Sequence, residues 1–289
     1  MTTADGLPLA VHERGDPAAP TVLCVHGYPD NSSVWDGVAA RLADRYHVVA
    51  YDVRGAGASP LPGCAPATRW TGWPTTWPGW PAPPPRRAGA PARARLGVAR
   101  GLARGHRRAA RPGVRLLHLG LRPLPGPRRA VAPLPAAALP RDLLAFADQA
   151  VRSGYIGFFH LPVLPELAWL TGAGGAVLGA LDRIGRPRSA APPRRTLRDH
   201  LNGLDLYREN FRARLRAPSE RRTAVPVQVL IPADEVFMTE GLQTASERWT
   251  EDFRAVPVQG GHWVPRSRPD AVAERVHAFV RELGAAGAR

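Results

Sequence analysis

Six short stretches of this sequence carry residue types that commonly perform chemistry: histidines, carboxylates or phenols beside a turn. Histidines and carboxylates transfer protons, phenols donate them, and backbone N–H groups at a tight turn stabilise negative charge on oxygen. The stretches are His26–Pro29, Asp52–Ser59, Ser153–Glu166, Leu206–Asn210, Pro232–Glu235 and Gln259–Trp263. What they can do together depends on the strands and helices that position them.

The first two stretches each follow a strand of a predicted β–α–β unit. Val22–Val25 is an apolar run of the length of a buried strand, and Tyr46–Ala50 is a second one. Between them, Ser33–Leu42 has apolar residues at helical spacing, with Ser32 or Ser33 as its cap. Strand, helix and strand with short connections predict a parallel sheet.

The two turns of this unit resemble the α/β-hydrolase superfamily in its epoxide hydrolase and haloalkane dehalogenase branch. One turn is His26-Gly27-Tyr28-Pro29, and the other is Asp-x-Arg-Gly-x-Gly-x-Ser from Asp52 to Ser59. The resemblance implies an α/β-hydrolase fold with a helical cap. It also implies that the backbone N–H of Tyr28 contributes to an oxyanion hole, which stabilises charge developing on oxygen. A generic β–α–β unit with a Gly-rich turn is the alternative interpretation.

Two tyrosines resemble the cap tyrosines of epoxide hydrolases. Tyr155 begins a Tyr-x-x-aromatic-Phe-x-x-Pro run, and Tyr207 begins Tyr-Arg-x-Asn. The resemblance implies that both phenols donate hydrogen bonds to the epoxide oxygen, because a strained ether opens more easily when a phenol shares its proton. Ordinary packing of both tyrosines is the alternative. Between them, 172–193 is rich in Gly, Ala, Arg and Pro and is predicted to be a flexible insertion.

The C-terminal stretches supply an acid and a histidine. Val225–Ile231 is a predicted strand, and the family places its catalytic acid after this strand, which selects Glu235 with Asp234 as the alternative. Gly-Gly-His-Trp resembles the catalytic-histidine turn of the superfamily, and its histidine is His262. The resemblance implies that the acid orients His262, which activates a water or serves as base for a serine. A solvated carboxylate and a structural histidine are the alternatives. A closing helix is predicted over 269–283, with Gly284 just past its end.

The basic charge of the chain is concentrated in one segment. The net charge is +15, yet residues 62–140 hold fourteen arginines and no Asp or Glu, which leaves +1 for the rest. The same segment holds sixteen of the 32 prolines and four of the eight tryptophans. Such a composition is typical of disorder. Because the charge belongs to this segment and not to a folded face, nucleic-acid binding is disfavoured.

This segment stands where the family keeps its central strand and nucleophile elbow, yet it contains no Gly-x-Ser-x-Gly and no His-Asp-Trp-Gly. We interpret it as an out-of-frame translation. Ala94–Gly97 can be encoded GCA CGA CTG GGN, and reading one base later gives His-Asp-Trp-Gly, the elbow of epoxide hydrolases. The region around 72–78 needs a different frame to give a helix, so more than one insertion or deletion is implied. A genuine Pro/Arg-rich insert is the alternative.

The chemical consequence is the loss of the nucleophile. In this branch an aspartate attacks the substrate carbon and forms an ester intermediate. Arg95 stands nearest the position of that aspartate and cannot replace it, because a guanidinium is always protonated. We therefore expect the central strand and elbow region, about 62–140, to be disrupted or disordered, and the sheet to lack its middle strand.

The sequence thus predicts four segments: 1–61 and 223–289 as the two parts of a hydrolase core, 62–140 as an aberrant segment, and 141–222 as a helical cap. The predicted function is that of an epoxide-hydrolase-type enzyme, inactive as written because its nucleophile is missing. A haloalkane dehalogenase or esterase of the same fold is one rival. A non-enzymatic, arginine-rich binder of nucleic acid or an acidic surface is the other.

The expected partner is a small-molecule substrate, with no cofactor and no metal. The resemblance is nearest to the hydrolase domain that is sometimes fused to a short-chain dehydrogenase, but no Gly-x-x-x-Gly-x-Gly motif follows it, and the nine histidines show no metal-ligand spacing. No signal peptide or membrane-length apolar run is visible, so we expect no membrane partner and a cytoplasmic location. Two cysteines, Cys24 and Cys64, fit a reducing compartment. The oligomeric state is left open.

Overall fold

The chain folds around one seven-stranded sheet in the residues that the computed structural model describes, which are 1, 3, 6–61, 94–97, 115–118, 140–216 and 222–286. The spatial order is β1-β3-β2-β4-β5-β6-β7, and every neighbouring pair is parallel except β1 with β3. The strands are β1 Val11–Arg14, β2 Thr21–Val25, β3 His47–Tyr51, β4 Ala94–Gly97, β5 Arg115–His118, β6 Val227–Asp234 and β7 Phe253–Gly261.

Helices flank this sheet and form the cap. α1 and α9 contact each other beside the sheet, and α3, α4 and α6 are in mutual contact within the cap. The helices are α1 Asp36–Leu42, α2 Pro140–Arg152, α3 Gly154–Phe159, α4 Leu164–Leu170, α5 Ala173–Asp182, α6 Leu197–Arg216, α7 Glu240–Thr244, α8 Val264–Ser267 and α9 Pro269–Ala286.

The strand β2 shows why the sheet is buried on both faces. Successive side chains of a strand point to opposite faces. Val22 and Cys24 belong to a core cluster with α1, α8 and α9, whereas Leu23 and Val25 belong to a second cluster on the other face with Leu9 and neighbours. A continuous apolar run is therefore what this parallel sheet requires.

Three details of the sequence prediction need correction. The first helical turn is a 3-10 turn over Ser32–Trp35, and its cap is Asn31, whose side chain accepts from the N–H of Ser33. The segment expected to be a flexible insertion contains helix α5, because Ala, Val and Leu at helical spacing outweigh its glycines. The closing helix continues through Gly284 to Ala286.

The middle of the sheet is occupied. β4 lies between β2 and β5, with Val22 opposite Ala94 and Val25 opposite Gly97. The expectation that the sheet lacks its middle strand is therefore wrong at the level of the backbone, because residues 94–97 contain no proline and can pair with a parallel neighbour on each side through their N–H and C=O groups. Residues 94–97, which the shifted reading makes into the elbow, lie within the strand itself. Apart from 94–97 and 115–118, residues 62–139, where the elbow turn was expected, lie outside the described residues.

Membrane-spanning potential is limited to one pair of short helices. In the part of the chain that the structure describes, no single helix is long and apolar enough to cross a membrane. Only together are the consecutive helices α4 and α5 long and apolar enough to span a membrane, and the described chain bends by 78° between them.

Candidate active site

The last two strands of the sheet bring a histidine and a carboxylate together. β6 and β7 run parallel, and Asp234 pairs with Gly261 at their carboxyl ends. The following residues, Glu235 and His262, are therefore side by side. Nδ1 of His262 lies 2.8 Å from Oε2 and 2.9 Å from Oε1 of Glu235. A Cβ at position 261 would overlap the carbonyl oxygen of Ile184, so this close approach requires glycine.

The surroundings of Glu235 keep it ionised. Burial by itself raises its pKa, but the charge and hydrogen bond of His262, together with the N–H groups of Phe237 and Val236, outweigh burial and hold the pKa below its ordinary value of 4.5. Asp234, the alternative acid, is exposed and lies within β6. Because Glu235 accepts from Nδ1–H of His262, Nε2 of the neutral ring is left free to take a proton.

Tyr155 on α3 and Tyr207 on α6 meet inside the cap. Their ring centroids are 5.9 Å apart, and the rings are nearly perpendicular. Phe159, one turn after Tyr155, packs edge-on against Tyr155 at 5.4 Å and Tyr207 at 5.2 Å. Burial, followed by the effects of Tyr207 and Glu235, raises the pKa of Tyr155 well above 10. The phenol therefore stays protonated at neutral pH and can act as a donor.

A cavity of about 260 Å³ connects the two halves of the site. His262 of the core and both cap phenols line it, and so does the turn that contains Tyr28. The remaining walls are apolar and mainly aromatic, and they include Phe158, Phe159, Trp169, Val177, Phe237 and Trp263. Such a lining accepts a small neutral organic molecule, and the few polar groups would fix its orientation.

The Tyr28 turn lies against this cavity. The ring of Tyr28 contacts Phe159 and Tyr207 with centroid distances of 5.4 and 5.5 Å, and its hydroxyl donates to the carbonyl of His200 at 3.1 Å. Burial raises the pKa of that hydroxyl. Within the described ranges no acceptor meets the backbone N–H of Tyr28. An unpaired N–H beside the cavity is what an oxyanion hole needs, and this role for Tyr28 stays a prediction.

Two buried side chains beside the histidine turn have no counterpart among the sequence predictions. Asp30 accepts from Nε1 of Trp263 at 2.8 Å and from Nε of Arg195 at 2.6 Å. The Arg195 guanidinium also lies 4.5 Å from the centre of the Trp263 ring. The signal that could have indicated Asp30 is its position, directly after His-Gly-Tyr-Pro. These contacts join the turn at Tyr28, the histidine turn and the cap.

The nucleophile is the part of the expected site that this cavity does not supply. Among the described residues that line it there is no carboxylate, serine or cysteine. For Arg95, which lies in β4, the structure describes only the backbone. In the same described residues, no group of three or more His, Cys, Asp or Glu side chains could hold a metal ion. The described residues of this cavity therefore include groups that can donate and accept protons, but none of the nucleophile types expected from the family.

Comparisons with known proteins agree with this architecture. Residues 20–80 match the family model described as alpha/beta hydrolase fold. The chain is similar to the probable oxidoreductase EphD of Mycobacterium tuberculosis (strain ATCC 25618 / H37Rv), with 26% identity over 298 residues that cover 97% of this chain and 49% of the relative. The chain thus spans about half the length of that relative.

The chain is also similar to a second protein over a shorter stretch of sequence and to a third protein in structure. Epoxide hydrolase A of the same organism is 41% identical over 63 residues, or 22% of this chain and 20% of the relative. An epoxide hydrolase from Bacillus megaterium superposes with a TM-score of 0.69 at 16% identity, covering 97% of this chain and 99% of the other. The expected α/β-hydrolase fold and the resemblance to its epoxide-hydrolase-like branch are confirmed. The roles of individual residues stay predictions.

Proposed function

We propose, starting from this fold and this resemblance, that the cavity is the substrate site of an epoxide-hydrolase-type enzyme, which adds water to an epoxide. One observation carries the proposal: His262, which is hydrogen-bonded to Glu235, and the phenols of Tyr155 and Tyr207 line a single apolar cavity. A histidine with its acid is common to many hydrolases. A pair of phenol donors that faces this histidine fits an ether oxygen as substrate.

The phenols would bind and activate the epoxide oxygen. Both tyrosines line the cavity, and the raised pKa of Tyr155 keeps its proton on the phenol until an oxygen with greater basicity forms. An epoxide oxygen that becomes an alkoxide as the C–O bond breaks is such an acceptor. Hydrogen bonds that strengthen as this charge develops lower the barrier to ring opening.

The histidine would act in the second step. With Nδ1–H bound to Glu235, Nε2 can take a proton from a water that attacks an ester, and the ionised Glu235 stabilises the imidazolium that results. The N–H of Tyr28 would donate to the oxyanion formed from the ester carbonyl. In this scheme the carboxylate that forms the ester must come from the elbow.

We further propose that this polypeptide binds an epoxide without forming that ester. No carboxylate lines the cavity in the described part of the chain, and the sequence 62–140 contains no Asp or Glu at all. The frameshift hypothesis explains this absence, and the coding DNA tests it directly. Codons that cannot encode His-Asp-Trp-Gly in the shifted frame at 94–97 would rule it out.

The test of function combines binding with turnover. Styrene oxide should quench the fluorescence of the tryptophans that line the cavity, but mass spectrometry should find no protein ester and no diol above the uncatalysed reaction. A haloalkane and a nitrophenyl ester should be inert as well. Diol formation that is lost in His262→Gln would contradict the proposed inactivity. Turnover of the haloalkane or the ester instead of the epoxide would contradict the assignment to epoxides.

A further inference from the structure

The corner between α3 and α4 is tied to α6 by one side chain, Arg208. Its Nε donates to the carbonyl of Phe159 at 2.9 Å, and its Nη2 donates to the carbonyl of Leu161 at 3.1 Å. Its Nη1 donates to Oε1 of Glu166 at 2.5 Å. The guanidinium is planar, with its donors in a fixed fork, so three bonds in different directions define the position of the corner.

This corner needs such a tie because its backbone is strained. Val163, between the two bound carbonyls and Glu166, has φ of +66°, in the left-handed region that a β-branched residue rarely adopts. Val163 is 62% exposed, so packing of its side chain does not hold the conformation. The N–H of Leu164 donates to the carbonyl of Pro162 at 2.7 Å across Val163, and the hydrogen bonds from Arg208 fix the chain on each side of this turn.

The corner in turn sets the positions of both phenols. Phe159, whose carbonyl Arg208 binds, is buried, and its ring contacts the rings of Tyr155 and Tyr207. Tyr155 lies one turn before Phe159 on α3, and Tyr207 is the neighbour of Arg208 on α6. A shift of α3 relative to α6 would therefore change the separation of the two hydroxyls directly.

We propose that Arg208 is a positioning residue: by fixing the corner after α3 onto α6, it holds the phenols of Tyr155 and Tyr207 at the separation at which both donate to one substrate oxygen. This inference rests on the proposed function, and it predicts a specific effect. Loss of Arg208 should remove the preference of the cavity for an oxygen acceptor while its affinity for apolar molecules persists.

The experiment compares two ligands of nearly equal shape, styrene oxide and cyclopropylbenzene, in which a methylene replaces the epoxide oxygen. Binding to the whole chain is followed by tryptophan fluorescence. One net hydrogen bond corresponds to roughly a 2- to 10-fold change in affinity. Wild type should therefore bind styrene oxide at least about twofold more tightly than cyclopropylbenzene. In Arg208→Met the ratio of the affinities for styrene oxide and cyclopropylbenzene should fall to about one, while the affinity for cyclopropylbenzene changes less than about twofold.

Three further variants separate positioning from general loosening. Arg208→Lys carries the charge without the fork and should also lose the preference for styrene oxide over cyclopropylbenzene. Glu166→Gln leaves the hydrogen bonds from Arg208 to the carbonyls of Phe159 and Leu161 in place and should keep this preference. Arg216→Met, at the exposed end of the same helix, is the matched control and should behave as wild type.

The outcomes distinguish this inference from the proposed function. A wild-type ratio of one would overturn the proposed function. A wild-type preference that survives in Arg208→Met, or a parallel loss of both affinities, would overturn the role of Arg208 alone. If Arg208→Met does not fold, as judged by circular dichroism, Arg208→Lys decides by the same ratio.

Discussion

His26 and His262 differ in what their two ring nitrogens contact. Nε2 of His26 accepts from the N–H of Val53 at 2.9 Å, so its Nδ1 carries the proton and donates to the carbonyl of Gly27 at 2.9 Å. His26 is thereby committed to joining the two N-terminal turns. His262 uses Nδ1 for Glu235, and the proposed function assigns proton transfer to its Nε2. Composition cannot separate these two histidines, but the identity of each acceptor can.

The Glu235–His262 pair makes a pH-dependent contribution to stability. The folded-state pKa of Glu235 is below its ordinary 4.5, so the pair stabilises the fold above about pH 4.5, and this contribution is lost as pH falls through the folded pKa. A hydrogen bond to a charged group contributes about 2 kcal/mol. We expect Glu235→Gln to lower the free energy of unfolding by about that amount at pH 6, and progressively less below pH 4.5.

Urea unfolding of wild type and Glu235→Gln between pH 3 and 6 measures this difference. Asp234→Asn is the matched control, because Asp234 is exposed, and its curve should follow wild type within about 0.5 kcal/mol. A cost of Glu235→Gln that stays constant over the whole pH range would show that the charge of Glu235 is not the source of the stability.

At the scale of elements, the outcome of the sequence predictions depends on local signals. The strands around His26–Pro29 and Asp52–Ser59 could be predicted because apolar runs and Gly-rich turns are local. Helix α5 was missed because four glycines in 172–179 indicate a flexible chain unless tertiary packing compensates. The compensation comes from distant residues: Leu178 and Leu181 pack against the core cluster that contains Trp263.

Gly174 is the position at which α5 depends on a close approach. A Cβ there would lie 2.7 Å from the ring of Trp169, which itself stacks on His200 at a centroid distance of 4.2 Å. We expect Gly174→Ala to destabilise the fold by about 1–3 kcal/mol, as overpacking does. It should also alter the near-ultraviolet circular dichroism of the indole, because the ring has to move.

Gly175→Ala provides the comparison one residue further along. A Cβ at Gly175 meets nothing within 4 Å, and replacing a helical glycine by alanine stabilises by up to about 1 kcal/mol. The two substitutions are chemically identical and should have opposite signs in thermal unfolding. Equal effects of both on the melting temperature would mean that the contact with Trp169 does not constrain α5.

At the scale of the molecule, the cap is joined to the core by buried polar groups. Asp199 at the start of α6 accepts from the N–H of Gly57 at 2.6 Å and from Nδ2 of Asn31 at 3.0 Å. Gly57 belongs to the Asp52–Ser59 motif, and Asn31 follows the His26–Pro29 motif by two residues. The motifs could be predicted from local sequence, but their partners could not, because Asp199 is more than 140 residues away from either turn.

A second link is a cluster of buried charges beside the histidine turn. Asp182, at the end of α5, contacts Arg266 of α8, Arg186 at 2.7 Å and Arg195 at 3.5 Å. Its side chain is 1% exposed. Burial alone raises the pKa of Asp182, but the three guanidinium groups together lower it. The cluster therefore holds the cap, the histidine turn and, through Arg195, Asp30 in one arrangement.

We expect Asp182→Asn to cost about 3–5 kcal/mol of unfolding free energy, because it leaves the buried guanidinium of Arg266 without its ion-pair partner. Asp36→Asn is the control: Asp36 forms exposed ion pairs with Arg14 and Arg194, and such pairs contribute less than about 1 kcal/mol. Urea unfolding measures both costs. Since Asp182 joins the cap to the histidine turn, limited proteolysis after Arg183 or Arg188 should also accelerate. A cost of Asp182→Asn as small as that of Asp36→Asn would mean that the cap is held to the core without this cluster.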